Sequence, residues 1–211
     1  MKSKFLLWLV GIAAVFAMAA VTRALAGQST PDRFSGIFND YTPATGISGP
    51  WEMHGTWLLK LKGDSGKADF YADMTMEHPD SWVAANPGAP ATPNIDNPAS
   101  RSPHTHHITM TNAVISSDTS VCQPDSPATV VRLVIIGQPS ISGNGNPAPF
   151  ETLGPSTLQV CITGEELIEY SNLSMSFTQT SPAAMKHFGS QAIHGIVRKV
   201  SGKEWHEDNH R

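Results

Sequence analysis

Residues 67–77, KADFYADMTME, alternate between apolar and more polar side chains, and this period of two constrains the fold more than any other feature of the sequence. The apolar positions are Ala68, Phe70, Ala72, Met74 and Met76. Because successive side chains of a β-strand point to opposite faces of the sheet, the segment predicts a strand with one buried face. Such a strand must bury that face against other elements of the same domain.

Six further segments have the short apolar runs and the bounding turn residues that are typical of strands. They are residues 51–63, 104–116, 128–142, 156–164, 166–179 and 191–200. Strands at this spacing, separated by turns such as Gly63-Asp64-Ser65-Gly66, predict an all-β fold. We expect a single antiparallel β-barrel, or a sandwich, of about seven to eight strands.

Residues 1–26 have the composition of a signal peptide. Two lysines precede an uncharged apolar run over residues 5–21, and Ala24-Leu25-Ala26 offers the small residues that signal peptidase reads. We therefore predict cleavage before Gly27 and a periplasmic or secreted location. The alternative is an uncleaved anchor, because the apolar run is close to the lower length limit of a membrane-spanning helix.

The mature chain is predicted to contain one domain. Residues 27–48 are rich in Gly, Ser, Thr and Pro and predict an irregular lead-in, residues 49–200 predict the barrel, and residues 201–211 form a polar tail. Within the barrel domain, residues 79–103 contain six prolines. Proline cannot donate a hydrogen bond to a strand ladder, so this segment predicts a long loop.

The charge of the chain excludes one class of partner. Removal of residues 1–26 takes three basic residues with it and changes the formal charge from −4 to −7. Binding to nucleic acid needs clustered Lys and Arg to neutralise phosphates, so we predict no nucleic-acid partner. No later segment is long and apolar enough to span a bilayer, so after cleavage we predict no stable membrane span.

Two short motifs resemble a known family of barrels. Gly49-Pro50-Trp51 and Gly55-Thr56-Trp57 are each similar to the G-x-W motif that lipocalins carry on their first strand. The resemblance covers three residues at a time. It implies a barrel in which consecutive strands are neighbours, and it implies nothing about a ligand.

Cys122 and Cys161 are the two cysteines of the chain. In an oxidising compartment such a pair is expected to form one disulfide. Cys122 lies in the turn-rich segment SVCQPDSP, where a thiol has little reason to be buried, and this favours the bond. The alternative is two separate buried thiols, since a free cysteine behaves as a small hydrophobe.

His104 and His106 open the predicted strand at residues 104–116. Their side chains lie on one face, about 7 Å apart along the strand, and His107 points to the other face. At this spacing two imidazoles can bind one Zn²⁺, Cu²⁺ or Fe²⁺ ion. A catalytic zinc site needs a third protein ligand, and we predict His194 on the last strand for this role. The other candidates are His54, His187 and the carboxylate of Glu77. The alternative is that these histidines are solvated or structural.

Two functions from different classes fit these features. The first is an exported barrel that binds a small ligand or a divalent metal in its interior. The residues predicted to line that interior, or simply to fill it as core, are Trp51, Trp57, Phe70, Met74, Met110 and Phe177. The alternative is a metal-dependent enzyme, hydrolytic or oxidative, that uses His104, His106 and His194 to hold the metal.

Overall fold

The structure, a computed structural model, describes residues 32–42, 50–91, 100–122, 130–144, 157–165, 167–178, 188 and 191–201. The strands in these ranges are β1 (Arg33–Thr42), β2 (Trp51–Leu61), β3 (Lys67–Glu77), β4 (His104–Ile115), β5 (Val131–Gly137), β6 (Ser140–Gly143), β7 (Thr157–Thr163), β8 (Asn172–Thr178) and β9 (Ile193–Ser201). A short helix, α1 (Asp80–Ala85), follows β3, and a 3-10 turn, Gly63–Ser65, joins β2 to β3. The predicted signal peptide and the tail from residue 202 lie outside the described residues.

The strands form a closed antiparallel barrel. Apart from β6, each strand pairs with the strands before and after it in the chain, with β5 followed by β7, and β1 pairs with β9, with Phe34 opposite Val200. β5 and β6 both pair with β4, one at its end and the other near its beginning, so together they act as one interrupted strand. Pro139, which has no N–H group to donate, lies at the interruption. With β5 and β6 counted as one strand, the result is a closed barrel of eight strands, as predicted, and not a sandwich.

The first strand is absent from the sequence-based prediction. β1 lies within residues 27–48, which the composition predicts to be irregular, and it precedes the strand that carries the two G-x-W motifs. Phe34 and Phe38 of β1 point inward and are 0% and 1% exposed. Gly36 lies between them and has no side chain, so it interrupts the apolar row that would have revealed the strand.

One predicted strand begins later than expected. β8 starts at Asn172 and not at residue 166. Tyr170 has a φ of 68°, in the left-handed region, and its side chain is 71% exposed. This conformation is typical of a turn and is incompatible with a regular strand. The apolar residues of the segment ELIEY therefore belong to the connection between β7 and β8.

The barrel interior is filled by the inward-facing rows of its strands. Along β3, for example, the side chains alternate between buried and more exposed, with Phe70 at 0% and Asp73 exposed. The central part of the core comprises Leu59, Phe70, Ile108, Met110, Ile135 and Leu158, which are 0% to 1% exposed. Charged residues such as Lys60, Asp69 and Asp73 occupy outward positions of the same strands. Within the described ranges, no helix has the length and apolar character needed to cross a membrane.

Trp57 packs across the wall of the barrel at Gly36. A Cβ atom on Gly36 would lie 2.6 Å from a ring carbon of Trp57 and 1.9 Å from the carbonyl oxygen of Ile196 on β9. Only a glycine leaves room for both the indole and the neighbouring strand at this position. The contact therefore brings β1, β2 and β9 together where the barrel closes.

Replacement of Gly36 by alanine is expected to lower the free energy of unfolding by about 2 kcal/mol, because overpacking forces the indole or the backbone of β9 to move. Chemical denaturation followed by far-UV circular dichroism measures this change. Gly88→Ala is the matched control, since a Cβ at Gly88 would meet nothing within 4 Å. Equal stabilities of the two variants would contradict this account of the closure.

The two cysteines form a disulfide, as predicted. Cys122 follows β4 and bonds to Cys161 on β7, with a Cα–Cα distance of 6.2 Å. The bond lies outside the barrel wall, in a small apolar cluster with Val134, which is 1% exposed. Its place in an outer layer explains why Cys122 is buried in spite of its turn-rich surroundings. Disulfides of this kind persist in oxidising compartments.

The disulfide closes a sequence separation of 39 residues. For a loop of this length, the restriction of the unfolded chain predicts a stabilisation of about 4 kcal/mol. The double variant Cys122→Ala/Cys161→Ala should therefore unfold at a markedly lower denaturant concentration than the oxidised protein. The reduced wild-type protein should behave like the variant, and a variant as stable as the oxidised protein would refute the prediction.

The two ends of the barrel differ in their connections. We call the end at which β4 begins the His104 end. Residues 43–50, 78–103, 144–156 and 179–192 connect strands there. At the opposite end, the connections are residues 62–66, 116–130 and 164–171. The longest connection of the barrel, the Pro-rich segment, therefore belongs to the His104 end.

Candidate functional site at the His104 end

Four buried polar residues gather at the His104 end. His78, Ser100, His104 and His106 are 6%, 0%, 0% and 0% exposed. In the described part of the chain the other buried polar residues, Thr163 and Ser171, lie at the opposite end of the barrel. Burial of an imidazole removes its nitrogens from water, which costs free energy unless hydrogen bonds or other contacts replace that hydration.

His104 and His106 point into the barrel, as strand alternation predicts. Their ring centroids are 5.0 Å apart and the planes are nearly perpendicular, at 88°. His107, between His106 and Ile108, points outward, and its Nδ1 lies 2.5 Å from a carboxylate oxygen of Asp73. That pair is exposed on both sides and contributes little to stability.

His78 is sandwiched between two tryptophans. Its ring lies 3.6 Å from Trp51 and 3.5 Å from Trp82 of α1, and both contacts are close to parallel. Trp51 also meets His104 edge to face, at 5.0 Å. The stack of Trp82, His78 and Trp51 therefore continues from the helix in the Pro-rich connection to the histidine pair inside the barrel.

The row of rings continues beyond the pair into the core. His106 lies 4.9 Å from Phe188, which in turn stacks on Phe177 of β8 at 4.6 Å. Phe188 belongs to the connection between β8 and β9 and is 1% exposed. Side chains from two long connections thus contact the histidines from both sides.

Hydrogen bonds orient two of the rings. The Nδ1 of His78 donates to the carbonyl oxygen of Pro50, at 2.5 Å. The hydroxyl of Ser100 donates to the carbonyl of Ser102, at 2.8 Å, and lies 3.3 Å from Nδ1 of His104. Either partner can donate in the contact between Ser100 and His104, according to which ring nitrogen of His104 carries the proton.

Burial keeps all three rings neutral. It lowers the pKa of His78 and that of His104 from 6.5 to about 4, although a backbone carbonyl bonded to each ring opposes the change. Burial also holds the pKa of His106 well below 6.5, and the neighbouring histidines His104 and His107 add to this effect. At neutral pH the end of the barrel therefore presents uncharged imidazole nitrogens.

These pKa values predict acid sensitivity. In the unfolded chain each histidine binds a proton below about 6.5, whereas the folded protein resists protonation until about 4. Stability is therefore complete above pH 6.5 and is lost as the pH falls. For His104 alone the loss between pH 7 and pH 5 should be roughly 2 kcal/mol, measured by denaturation in buffers with chelator.

A His104→Leu variant provides the control for this prediction. It should lose less stability between pH 7 and pH 5 than the wild-type protein, because one depressed pKa is gone. Asp40, whose pKa lies below 3.8, does not titrate in this window. An unchanged pH dependence in the variant would show that His104 titrates normally in the folded protein.

His194, the predicted third metal ligand, does not join the pair. On β9 the inward positions are Ile193, Gly195 and Val197, so the side chain of His194 lies on the outer face and is 41% exposed. Its Nδ1 lies 3.0 Å from Asp40 of β1, whose carboxylate also accepts the backbone N–H of His194. Burial would raise the pKa of Asp40, but these hydrogen bonds outweigh it and lower the pKa.

The described residues contain no group of three His, Cys, Asp or Glu side chains arranged to hold a metal ion. Beside the Asp40–His194 pair, an open depression of about 390 Å³ lies over the rim of β1 and β2. Its lining includes Tyr41, Glu52 and His54. It is open and mainly polar, and its lining also includes Met53, which belongs to the inward row of β2.

The residues predicted to line a ligand site fall into two groups. Trp51, Met74 and Phe177 lie at the His104 end, by register or by ring contact with the buried histidines or Phe188. The other three, Trp57, Phe70 and Met110, lie deeper, where Trp57 stacks on Phe70 at 6.5 Å and Met110 pairs with Phe70. Their role in binding stays a prediction.

Two residues of this end are missing from the sequence-based prediction. His78 continues the inward row of β3 beyond Met74 and Met76, at the same spacing of two, but Pro79 masks it as part of the loop. Ser100 has no signal in the sequence, since it contacts His104 only through the path of the Pro-rich connection. Extension of the period of two by one step would have found His78.

No family model matches this chain, and neither the curated proteins nor the solved structures contain a match to it. What the protein does is therefore inferred from the geometry and chemistry of the His104 end.

Proposed function

We propose that the protein is an exported β-barrel binding protein that holds a small ligand or a metal ion at the His104 end. The observation that carries this proposal is the burial of three neutral imidazoles, His78, His104 and His106, at the barrel end with the longest connection. Residues that break the rule of an apolar core usually mark functional sites.

The cost of this arrangement supports a functional role. Nε2 of His78 is buried and has no hydrogen-bond partner among the described residues. An unsatisfied polar group in a core typically costs about 1–3 kcal/mol. An apolar side chain of similar size would fill the same space without this cost, so stability alone does not account for an imidazole here.

The chemistry of the end suits a compact ligand. Neutral imidazoles accept hydrogen bonds and bind metals, and the indoles of Trp51 and Trp82, which stack on His78, give this end apolar surroundings. We do not extend the proposal to a hydrolytic or oxidative metalloenzyme. A catalytic zinc site needs three protein ligands and an open position, and His194 lies on the outer face of the wall.

Export is the second part of the proposal. Residues 1–26 have the charge and apolar pattern of a signal peptide, and the Cys122–Cys161 disulfide supports an oxidising destination. Expression of the full chain in a bacterial host, followed by fractionation and mass spectrometry of the N-terminus, tests this part. We expect a periplasmic or secreted product that begins at Gly27.

His106→Leu tests the binding site. The substitution removes a buried imidazole, so it should raise the free energy of unfolding of the empty protein by about 1–2 kcal/mol while abolishing binding. Binding is measured by native mass spectrometry of the exported protein, as a mass present under native conditions and absent after denaturation. Denaturant titration of the same samples gives the stability.

His54→Leu is the matched control for this variant. His54 lies on the outward face of β2 and is exposed, so neither the stability nor the bound mass should change in the same way. A His106→Leu protein that is less stable than the wild type, with no bound mass in either protein, would refute the proposed function. Such a result would assign His106 to the packed core.

A further inference from the structure

The strand register places three methionines beside the histidine pair. Met76 of β3 pairs with His104, and Met74 pairs with His106. Met53 of β2 pairs in turn with Met76. Directly opposite residues on one face of a sheet have Cβ atoms about 5 Å apart, so these five side chains form one contiguous patch. We call Met53, Met74, Met76, His104 and His106 the Met/His cluster.

The cluster is buried and uncharged. Its five residues are each between 0% and 2% exposed. A thioether carries no proton and no charge, and an imidazole binds a metal through a ring nitrogen that carries no proton. The cluster therefore offers neutral sulfur and nitrogen donors in a dry part of the barrel. A thioether sulfur carries no proton on its lone pairs, and a neutral imidazole has one lone pair on the ring nitrogen without a proton.

We propose that the Met/His cluster is a binding site for a monovalent soft metal ion, Cu(I), with His104, His106, Met74 and Met76 as its donor set. Soft thioether and imidazole ligands together favour copper among the first-row metals. The inference rests on the proposed function, since it names the ligand of the His104 end. In this site the thioethers of Met74 and Met76 on β3 take the place of His194, the predicted third ligand, which faces outward.

Charge and ligand type argue for Cu(I) over a divalent ion. Transfer of an ion into a protein interior costs several kcal/mol, and this cost rises with the charge. Zn²⁺ is normally bound by thiolates, imidazoles and carboxylates, of which the thiolates and carboxylates offset its charge, and thioethers are not among its usual ligands. A single positive charge on a polarisable ion is the best match to neutral sulfur and nitrogen.

The surroundings of the cluster fit a metal site. Ser100 lies 3.3 Å from Nδ1 of His104, and this contact orients the ring; with the ring proton on Nδ1, Nε2 is the nitrogen that binds the metal. Trp51 covers His104 edge to face, and the stack with His78 and Trp82 lies over that side. These rings exclude water, which protects Cu(I) from oxidation and hydration.

The test is an anaerobic titration of the purified full-length protein, after removal of metals, with Cu(I) in competition with bicinchoninate. We expect one Cu(I) for each chain. Met74→Leu and Met76→Leu keep the side-chain volume and should retain the fold. Each should weaken Cu(I) binding at least roughly ten-fold, a loss that even changes outside the ligand set cause at metal sites.

Met110→Leu is the matched control. Met110 is equally buried and lies on β4, but it pairs with Phe70, away from the cluster. Its substitution should leave Cu(I) affinity unchanged. X-ray absorption of the loaded wild-type protein should show both sulfur and nitrogen scatterers, and the sulfur contribution should fall in the Met74→Leu/Met76→Leu double variant.

The outcomes separate this inference from the proposed function. Absence of Cu(I) binding, or binding that is identical in the methionine variants, overturns the copper site. Zn²⁺ binding that depends on His106 and not on the methionines also overturns it, while leaving the proposed function in place. If the protein binds an organic molecule that is lost in the His106→Leu variant, and binds no copper, the copper site is likewise overturned and the proposed function stands. Absence of any His106-dependent ligand refutes both.

Discussion

The pairing of the first strand with the last is the interaction on which the rest of the structure depends. Six residues of β1 pair with β9, and the same strand pairs with β2 along its full length. Without this closure the sheet would have two exposed edges and its inner face would meet water. When the barrel is closed, the inward-facing side chains of all the strands form one core. The histidines among these side chains are therefore desolvated. The close approach of Trp57, Gly36 and Ile196 at this junction is therefore a condition for the chemistry at the His104 end.

Desolvation then determines the protonation state of the histidines inside the barrel. The same imidazoles on an open sheet would titrate near neutrality and bind water. Inside the barrel they are neutral, ordered by contacts with tryptophans and phenylalanines, and adjacent to thioethers. The stack of Trp51, His78 and Trp82 also shows how the Pro-rich connection contributes to the core. Its helix α1 supplies a ring that an independent loop could not hold in place.

Much of the fold could be predicted from the period of two. β3 and β4 begin at the predicted residues, because clean alternation of apolar and polar side chains and the flanking turn residues agree there. β1 was missed, because Gly36 interrupts its inward row, and β8 was drawn too long, because local β character does not reveal a turn at Tyr170. For the site, strand parity correctly separated His104 and His106 from His107. It did not identify the partners of the pair. Met74, Met76 and Phe188 are distant in sequence and reach the histidines through register and loop path, and Ser100, although close in sequence, contacts His104 only because of the path of the chain between them.

The sequence by itself determined the all-β class, the inward pair of histidines and the candidate disulfide. Those properties follow from local alternation, composition and cysteine count. Only the tertiary structure decided that the sheet closes, that His194 faces outward toward Asp40, and that two methionines lie opposite the histidine pair. These depend on which residues of different strands stand opposite one another. Register is a property of paired strands, and no single strand contains it.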